Sequence, residues 1–370
     1  MKNIFYLILS LLLCAILAGG VFIVTQGGED VPDTSQSESV TDSFEEEDGD
    51  NTSTGNPDSG VTDSGGNDNE DSGGNNSGDT VVDESLKDPV NVSAYIADGM
   101  EMMSGASVYT GNDEIVGPAM RFTCLVETAV AEEVMADEDK SMGILLAPLE
   151  YFDEVNVNNY TYIDWMTEFE KAGKTVIFNE FDDYGTYDSD TSYIRFTLAK
   201  VMYKNVNRRF AAIGVIKDNS GATPTYKYSA FADGNNYRTN ARSIAYVTAA
   251  ALNAHTLGME NFTNEELTIL KGYINQSVDF ANGKAEATND GSMYAFTVKP
   301  AGPKTLSVGE YFTLETTISP DVNVPVWYRS SDESIVEVDD KGVVTAKAKG
   351  TAVIGVYVAG ETIGVTVTVS

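Results

Sequence analysis

The chain is poor in the residues that build the commonest disulfide, metal and nucleic-acid sites. Its 370 residues include two cysteines, one histidine (His255) and 23 basic residues against 57 acidic ones. Two cysteines are too few for a disulfide framework or a cysteine-rich zinc site, and one histidine excludes a metal site that needs two. The net charge of −34 argues against nucleic acid as a partner, because a nucleic-acid backbone requires an extended Lys/Arg surface that displaces its counterions.

Charge is absent from residues 4–24, a stretch of 21 mostly apolar residues. At about 1.5 Å per residue, a helix of this length spans the roughly 30 Å hydrocarbon core of a bilayer. Lys2 precedes the stretch and the next basic residue is Lys87, which places the rest of the chain outside the cell. We expect residues 1–24 to be an uncleaved membrane anchor. A cleaved signal peptide, and a lipid anchor at Cys14, are the alternatives.

Residues 25–86 contain 18 acidic residues, no basic residue and one aromatic residue, Phe44. A segment so rich in Gly, Ser, Asn and Asp has too few apolar side chains to offset the chain entropy lost on folding. We expect a disordered acidic linker with a root-mean-square reach of about 40–45 Å. Such a linker would hold folded domains away from the membrane.

Short alternating stretches of apolar and polar residues, separated by glycines, fill residues 299–370. This spacing is typical of a small β-sandwich. The order and spacing of its motifs resemble a bacterial immunoglobulin-like (Ig-like) domain of group 2: Ser307-Val308-Gly309-Glu310, Ile318-Ser319-Pro320, Trp327-Tyr328-Arg329-Ser330-Ser331-Asp332, Asp339-Asp340-Lys341-Gly342 and Lys349-Gly350-Thr351-Ala352. The resemblance implies an Ig-like sandwich of the kind found in extracellular and surface proteins. It implies no enzymatic activity.

Residues 87–298 are long enough for one domain with a sizeable core. Their patterns predict strands over 118–127, 141–146, 174–181, 191–201, 208–217 and 226–232, and helices over 160–171, 238–257 and 264–282. Thr263 and Glu266 form a capping box for the last helix. Strands followed by paired helices predict an α+β domain.

Several motifs of this region resemble an uncharacterised module that accompanies Ig-like domains in surface proteins of anaerobic Gram-positive bacteria: Pro118-Ala119-Met120-Arg121-Phe122, Gly143-Ile144-Leu145-Leu146-Ala147-Pro148, Arg208-Arg209-Phe210, Tyr228-Ser229-Ala230 and Ala241-Arg242-Ser243-Ile244-Ala245. That resemblance implies no activity. The predicted fold class is therefore multidomain: an N-terminal membrane helix, a disordered acidic linker, an α+β domain and a C-terminal all-β Ig-like sandwich.

Tyrosines beside Asp and Asn predict a ligand site, because aromatic faces stack on sugars while polar neighbours bind hydroxyls. The candidates are Tyr184, Tyr187, Tyr226, Tyr228, Asn236 and Tyr237. The loop around the first two also contains four acids that offer an alternative calcium site: Asp182, Asp183, Asp188 and Asp190. An ordinary solvated loop is the third interpretation.

Arg-Phe pairs recur in three predicted strands, at Arg121, Arg195 and Arg209. Strand alternation places each Phe in the core and each Arg on the opposite face. If the three strands are neighbours, the guanidinium groups line one anion-binding surface. Cross-strand pairing with the many carboxylates is the alternative.

No catalytic motif occurs in the sequence, and Cys124 and His255 are expected to be packing residues. We expect a non-enzymatic adhesion or ligand-binding protein on the outer face of the plasma membrane, or a secreted one if residues 1–24 are cleaved. The expected partner is a surface glycan, a protein ligand or a cell-wall polymer, and no cofactor is required. An envelope scaffold and a surface carbohydrate hydrolase are the alternative functions.

Overall fold

A computed structural model of the chain describes residues 92–110, 119–232, 237–287 and 295–370. The predicted membrane anchor, the linker and Asn236 lie outside these described residues. Within the described ranges, no helix is both long and apolar enough to span a membrane.

The first three ranges form a central domain that mixes helices with one large sheet. Its strands are β1 (Ile96–Met102), β2 (Ser107–Tyr109), β3 (Ala119–Glu127), β4 (Lys140–Pro148), β5 (Ile177–Phe181), β6 (Gly185–Thr186), β7 (Thr191–Leu198), β8 (Phe210–Asp218) and β9 (Thr225–Phe231). Its helices are α1 (Thr128–Ala136), α2 (Leu149–Val155), α3 (Trp165–Lys171), α4 (Ile244–Thr256) and α5 (Asn264–Ala281).

The sheet runs in the order β5-β4-β8-β9-β1-β3-β7-β6, and β2 extends it beside β3. All neighbours are antiparallel except β1 and β9, which are parallel. The sheet curls on itself, since the Cys124 sulfur of β3 occupies the space that a Cβ would take at Gly214 of β8. The buried side chains of these two strands therefore share one core.

Burial differs between the two halves of the sheet. In β4 seven of nine residues are buried and in β8 six of nine, because α1, α2 and a 3-10 turn (Tyr237–Asn240) pack against these strands. In β3 and β7 buried residues alternate with half-exposed ones. Such alternation is typical of a sheet with one face on the core and one face in water.

Most strand predictions are confirmed, whereas two helices begin later than the sequence pattern indicates. The helix predicted over 160–171 begins at Trp165, where the Asp164 carboxylate caps it by accepting a hydrogen bond from the Thr167 N–H. The helix predicted over 238–257 begins at Ile244, because the chain first makes the 3-10 turn and Ser243 then supplies the N-cap. The capping box of Thr263 and Glu266 is present as predicted.

The C-terminal sandwich comprises residues 295–370. Its strands are β10 (Ala295–Lys299), β11 (Lys304–Leu306), β12 (Tyr311–Thr313), β13 (Glu315–Ser319), β14 (Val326–Ser330), β15 (Val336–Val338), β16 (Val343–Ala346), β17 (Gly350–Val358) and β18 (Glu361–Val369). They form sheets β11-β18-β17-β14, β12-β16-β15 and β10-β13 around a Val-rich core. The pairing of β10 with β13 places residues from Ala295 onward in the sandwich.

Helix α4 joins the two domains, and eleven of its thirteen residues are buried. Asn253 is fully buried, and its amide donates to the carbonyl oxygens of Pro325 and Tyr357, both at 3.3 Å. Its side-chain oxygen accepts a 2.8 Å hydrogen bond from the Gly360 N–H. One helical side chain of the central domain therefore binds the backbone of the sandwich at three points.

Apolar contacts surround these hydrogen bonds. Val322, Val324, Val358 and Ala359 of the sandwich belong to the core of the central domain. Gly360 ends the β17–β18 turn with φ +87°, and a Cβ there would lie 3.2 Å from the Leu252 Cβ. The turn therefore requires glycine both for its backbone conformation and for its close approach to α4.

We expect Asn253→Ala to lower the free energy of unfolding by roughly 2–4 kcal/mol, because it removes one buried and two part-buried hydrogen bonds to the backbone of the sandwich. Urea unfolding of the full chain measures this loss. The control Asn264→Ala removes an exposed asparagine from α5 and should cost less than about 0.5 kcal/mol. Equal losses of unfolding free energy in the two variants would contradict the stabilising role of Asn253 at the contact between the domains.

Candidate functional site

The water-facing side of β2, β3 and β7 carries a two-dimensional array of polar and aromatic side chains, here called the open face. Its members are half-exposed: Tyr109, Arg121, Thr123, Tyr193, Arg195 and Thr197. Alternation produces it, because Phe122 and Phe196 point into the core and place the flanking residues outside. Arg121 and Arg195 therefore lie on the face opposite Phe122 and Phe196, as strand alternation predicts, and their role in ligand binding stays a prediction.

Register pairs each of these arginines with a threonine on the neighbouring strand. Arg121 lies opposite Thr197, and its Nε donates to the Thr197 hydroxyl at 3.2 Å. Arg195 lies opposite Thr123, and its Nε donates to the Thr123 hydroxyl at 3.3 Å. In one pair the arginine lies on β3 and the threonine on β7, and in the other pair the strands are exchanged. The two hydrogen bonds fix the position of each guanidinium group on the open face.

Tyrosine rings support the same two guanidinium groups. The Arg121 Cζ lies 3.6 Å from the centroid of the Tyr109 ring, and the Arg195 Cζ lies 4.5 Å from that of Tyr193. The Tyr193 ring in turn lies over Gly185 of β6, where no Cβ would fit. Cation–π contacts of this kind hold a guanidinium flat against the ring.

The β6–β7 hairpin borders the open face and carries the predicted tyrosine loop. The Tyr187 and Asp188 N–H groups both donate to the Thr191 carbonyl oxygen, which closes the hairpin. Tyr187 is 49% exposed, whereas Tyr184 packs partly against the core. The hairpin lies where β7 begins and β3 ends, since Thr191 pairs with Glu127, whereas Arg121 pairs with Thr197 near the opposite end of these strands and Arg195 lies between.

The acidic residues of this hairpin stabilise the turn itself. The Asp188 Oδ1 accepts hydrogen bonds from the Asp190 N–H at 3.0 Å and the Thr191 N–H at 2.8 Å. These bonds, the one from Asp190 foremost, lower the pKa of Asp188. Asp183 likewise accepts a hydrogen bond from the Tyr184 N–H at 2.7 Å.

The calcium interpretation is not supported. In the described part of the chain, no three acidic, histidine or cysteine side chains are grouped so as to hold a metal ion. This includes Asp182, Asp183, Asp188 and Asp190, of which Asp183 and Asp188 bind the backbone N–H groups of their own turn.

Tyr228 and Tyr237 are not available as ligand residues, because both are fully buried. The Tyr228 hydroxyl donates to Asp164 at 2.8 Å and accepts from the Met166 N–H at 2.9 Å. The Tyr237 hydroxyl donates to Asp153 at 2.8 Å. Burial raises the pKa of both tyrosines, and the adjacent carboxylates raise it further. Tyr226, on β9, packs partly against the core.

Arg209 does not join the other two predicted arginines. Strands β9 and β1 separate β8 from β3, so the condition for a three-arginine surface is not met. Arg209 instead lies where β8 begins, beside Arg238 and Arg242.

The two candidate nucleophilic or basic side chains are packed. Cys124 is fully buried among core residues, and this burial raises the pKa of its thiol to about 12. The thiol therefore stays protonated near neutral pH and is a poor nucleophile. The His255 Nδ1 lies 3.2 Å from the Glu260 carbonyl oxygen, close to the end of α4.

We expect Cys124 to resist a thiol-specific reagent in the folded chain and to react fully in urea. A Cys14→Ser background isolates its signal, since these are the two cysteines of the sequence. Rapid modification in native buffer would contradict the buried, protonated thiol.

Sequence reasoning missed Tyr109, Thr123, Tyr193 and Thr197. The signal was present, because Thr123 and Thr197 each follow an arginine by two residues and therefore share its face. Pairing each threonine with the arginine of the other strand required the register, which residue spacing alone does not supply.

Comparison with known proteins adds a family for the C-terminal domain. Residues 292–369 match the bacterial Ig-like domain (group 2). No curated protein matches the chain. A crystal structure of an ICAM-5 D1–D4 ectodomain fragment is similar over 74% of this chain at 12% identity and a TM-score of 0.20, and the match covers 54% of that fragment. The C-terminal sandwich is thus shown to be a bacterial Ig-like domain of group 2, as its motifs predicted.

Proposed function

We propose that this is a non-enzymatic ligand-binding protein of the cell surface, whose open face binds a glycan. The observation that carries the proposal is the pair of arginines, each held by a threonine on one side and a tyrosine ring beneath. Guanidinium N–H groups and threonine hydroxyls suit ring hydroxyls and sugar carboxylates. Tyr187 at the border supplies an exposed aromatic surface for stacking.

The shape of the site favours an extended ligand over a small enclosed one. The open face is spread over three strands and the hairpin, and its polar groups recur with the register of the sheet. A polymer with repeating hydroxyl groups can contact several of these groups at once. A glycan chain therefore fits better than a single metabolite, which prefers a concave pocket.

Sequence features that suit display outside the cell support the same function. The uncharged stretch 4–24 and the acidic segment 25–86 suit a tether and a spacer. An Ig-like domain of group 2 at the C-terminus is typical of extracellular proteins. We place the open face on the outer side of the plasma membrane, and secretion after cleavage of residues 1–24 remains the alternative.

Arg195→Ala should weaken glycan binding at least about tenfold, since it removes a charge-assisted donor worth roughly 1.5–3 kcal/mol. The full-length chain, purified in mild detergent, is applied to an array of host glycans and bacterial wall polysaccharides. Arg195→Lys should bind with intermediate strength, because lysine keeps the charge but loses the planar fork.

The matched control is Lys227→Ala, which removes one exposed positive charge from β9, away from the open face. It should leave binding unchanged. Absence of saturable binding by the unmodified chain, or equal losses in Arg195→Ala and Lys227→Ala, would refute the proposal. If the chain binds proteins saturably and does not bind glycans, the ligand of the open face is a protein.

A further inference from the structure

A second basic cluster lies apart from the open face, where β8 and α4 begin. Arg209 directly precedes β8, and Arg242 directly precedes the N-cap residue of α4. An isolated antiparallel bridge joins the two segments, with Phe210 N–H to Arg242 O at 2.8 Å and Arg242 N–H to Phe210 O at 3.0 Å. The backbone therefore fixes these arginines relative to each other.

Backbone carbonyl groups contact both arginine side chains, and an aromatic ring contacts that of Arg242. Arg242 is 8% exposed, and its Nη1 donates to the carbonyl oxygens of Thr239 and Ala241, both at 2.9 Å. Its Cζ lies 4.9 Å from the centroid of the Tyr246 ring. The Arg209 Nη2 lies 3.4 Å from the same Ala241 carbonyl oxygen.

Arg209 lacks an ion-pair partner among the residues that the structure describes. Asp153 is an acidic neighbour, but it accepts hydrogen bonds from Tyr237 at 2.8 Å and from Arg238 at 3.0 Å. Burial lowers the pKa of Arg209, and the positive charge of Arg242 lowers it further. Both guanidinium groups approach the same Ala241 carbonyl oxygen, and this proximity of like charges is unfavourable unless a bound anion relieves it.

Two further groups favour an anion at the same place. Burial raises the pKa of Tyr246, so its hydroxyl remains a hydrogen-bond donor, although Arg242 and Arg209 oppose this shift. Helix α4 begins at Ile244, and the positive end of its dipole faces this region. Neither group alone indicates a site, but the hydroxyl adds a hydrogen-bond donor and the helix N-terminus adds to the positive electrostatic potential of the two arginines.

We propose that Arg209 and Arg242, with Tyr246, form a binding site for a tetrahedral oxyanion, a phosphate or sulfate group. One guanidinium suffices for the two oxygens of a carboxylate, whereas two guanidinium groups and a hydroxyl match a group with three or four oxygens. Such a group occurs as a free ion or as a substituent of a larger ligand. The site is separate from the open face and does not depend on the glycan proposal.

The test measures thermal unfolding of the full chain with sodium phosphate, sodium sulfate, sodium acetate or sodium chloride at equal ionic strength. Phosphate and sulfate should raise the midpoint by a few degrees above chloride, because a ligand of the folded state stabilises it. Acetate should match chloride. A shift with acetate alone would overturn the tetrahedral assignment.

Two neighbouring arginines provide the matched variants. Arg209→Gln should abolish the difference between phosphate and chloride, and Arg208→Gln should preserve it, because Arg208 pairs with Glu150 at 2.6 Å. If Arg209→Gln fails to fold, Arg209→Lys should retain a reduced difference. Equal differences in the unmodified chain and Arg209→Gln or Arg209→Lys, or no difference in the unmodified chain, would overturn the proposal. Phosphorylated and sulfated glycans applied afterwards distinguish a substituent from a free ion.

Discussion

The burial of α4 between two domains is the constraint on which the rest of the structure depends. Its small side chains let the curled sheet approach from one side and the β17–β18 turn from the other. Asn253 is the polar centre of this contact, because its amide satisfies backbone groups of the Ig-like domain. The Ig-like domain therefore completes the core of the central domain, which goes beyond the role of a flexible spacer.

Uneven covering of the sheet explains where a ligand can bind. Helices cover the half that contains β4 and β8, and its strands are apolar on both faces. The half that contains β3 and β7 keeps one face in water, and there the sequence places arginine, threonine and tyrosine in register. At the other end of α4, the segment that begins the helix brings Arg242 to Arg209. A single helix thus positions one domain contact and one basic cluster.

The sequence predicted those features that depend only on residues close to one another along the chain. The capping box of α5 and the alternation of β3 and β7 are properties of neighbouring residues, and both were predicted. Strand β1 was missed because its pairing with β9 shifts register around Gly99, at φ +77°, which breaks the alternation. Tyr228 and Tyr237 resembled ligand residues, but Asp164 and Asp153 bind their hydroxyls in the interior. Such partners, more than 60 residues away, are invisible to sequence patterns.

Hydrogen–deuterium exchange of the full chain tests the central claim most directly. If α4 is the shared core of both domains, its amides and those of the β17–β18 turn exchange at the same slow rate, because both are released only by unfolding of the whole two-domain unit. A low concentration of urea should accelerate the exchange of both sets of amides to the same extent. Fast exchange of the turn beside a slowly exchanging α4 would show that the Ig-like domain opens away from the central domain, and it would contradict the account.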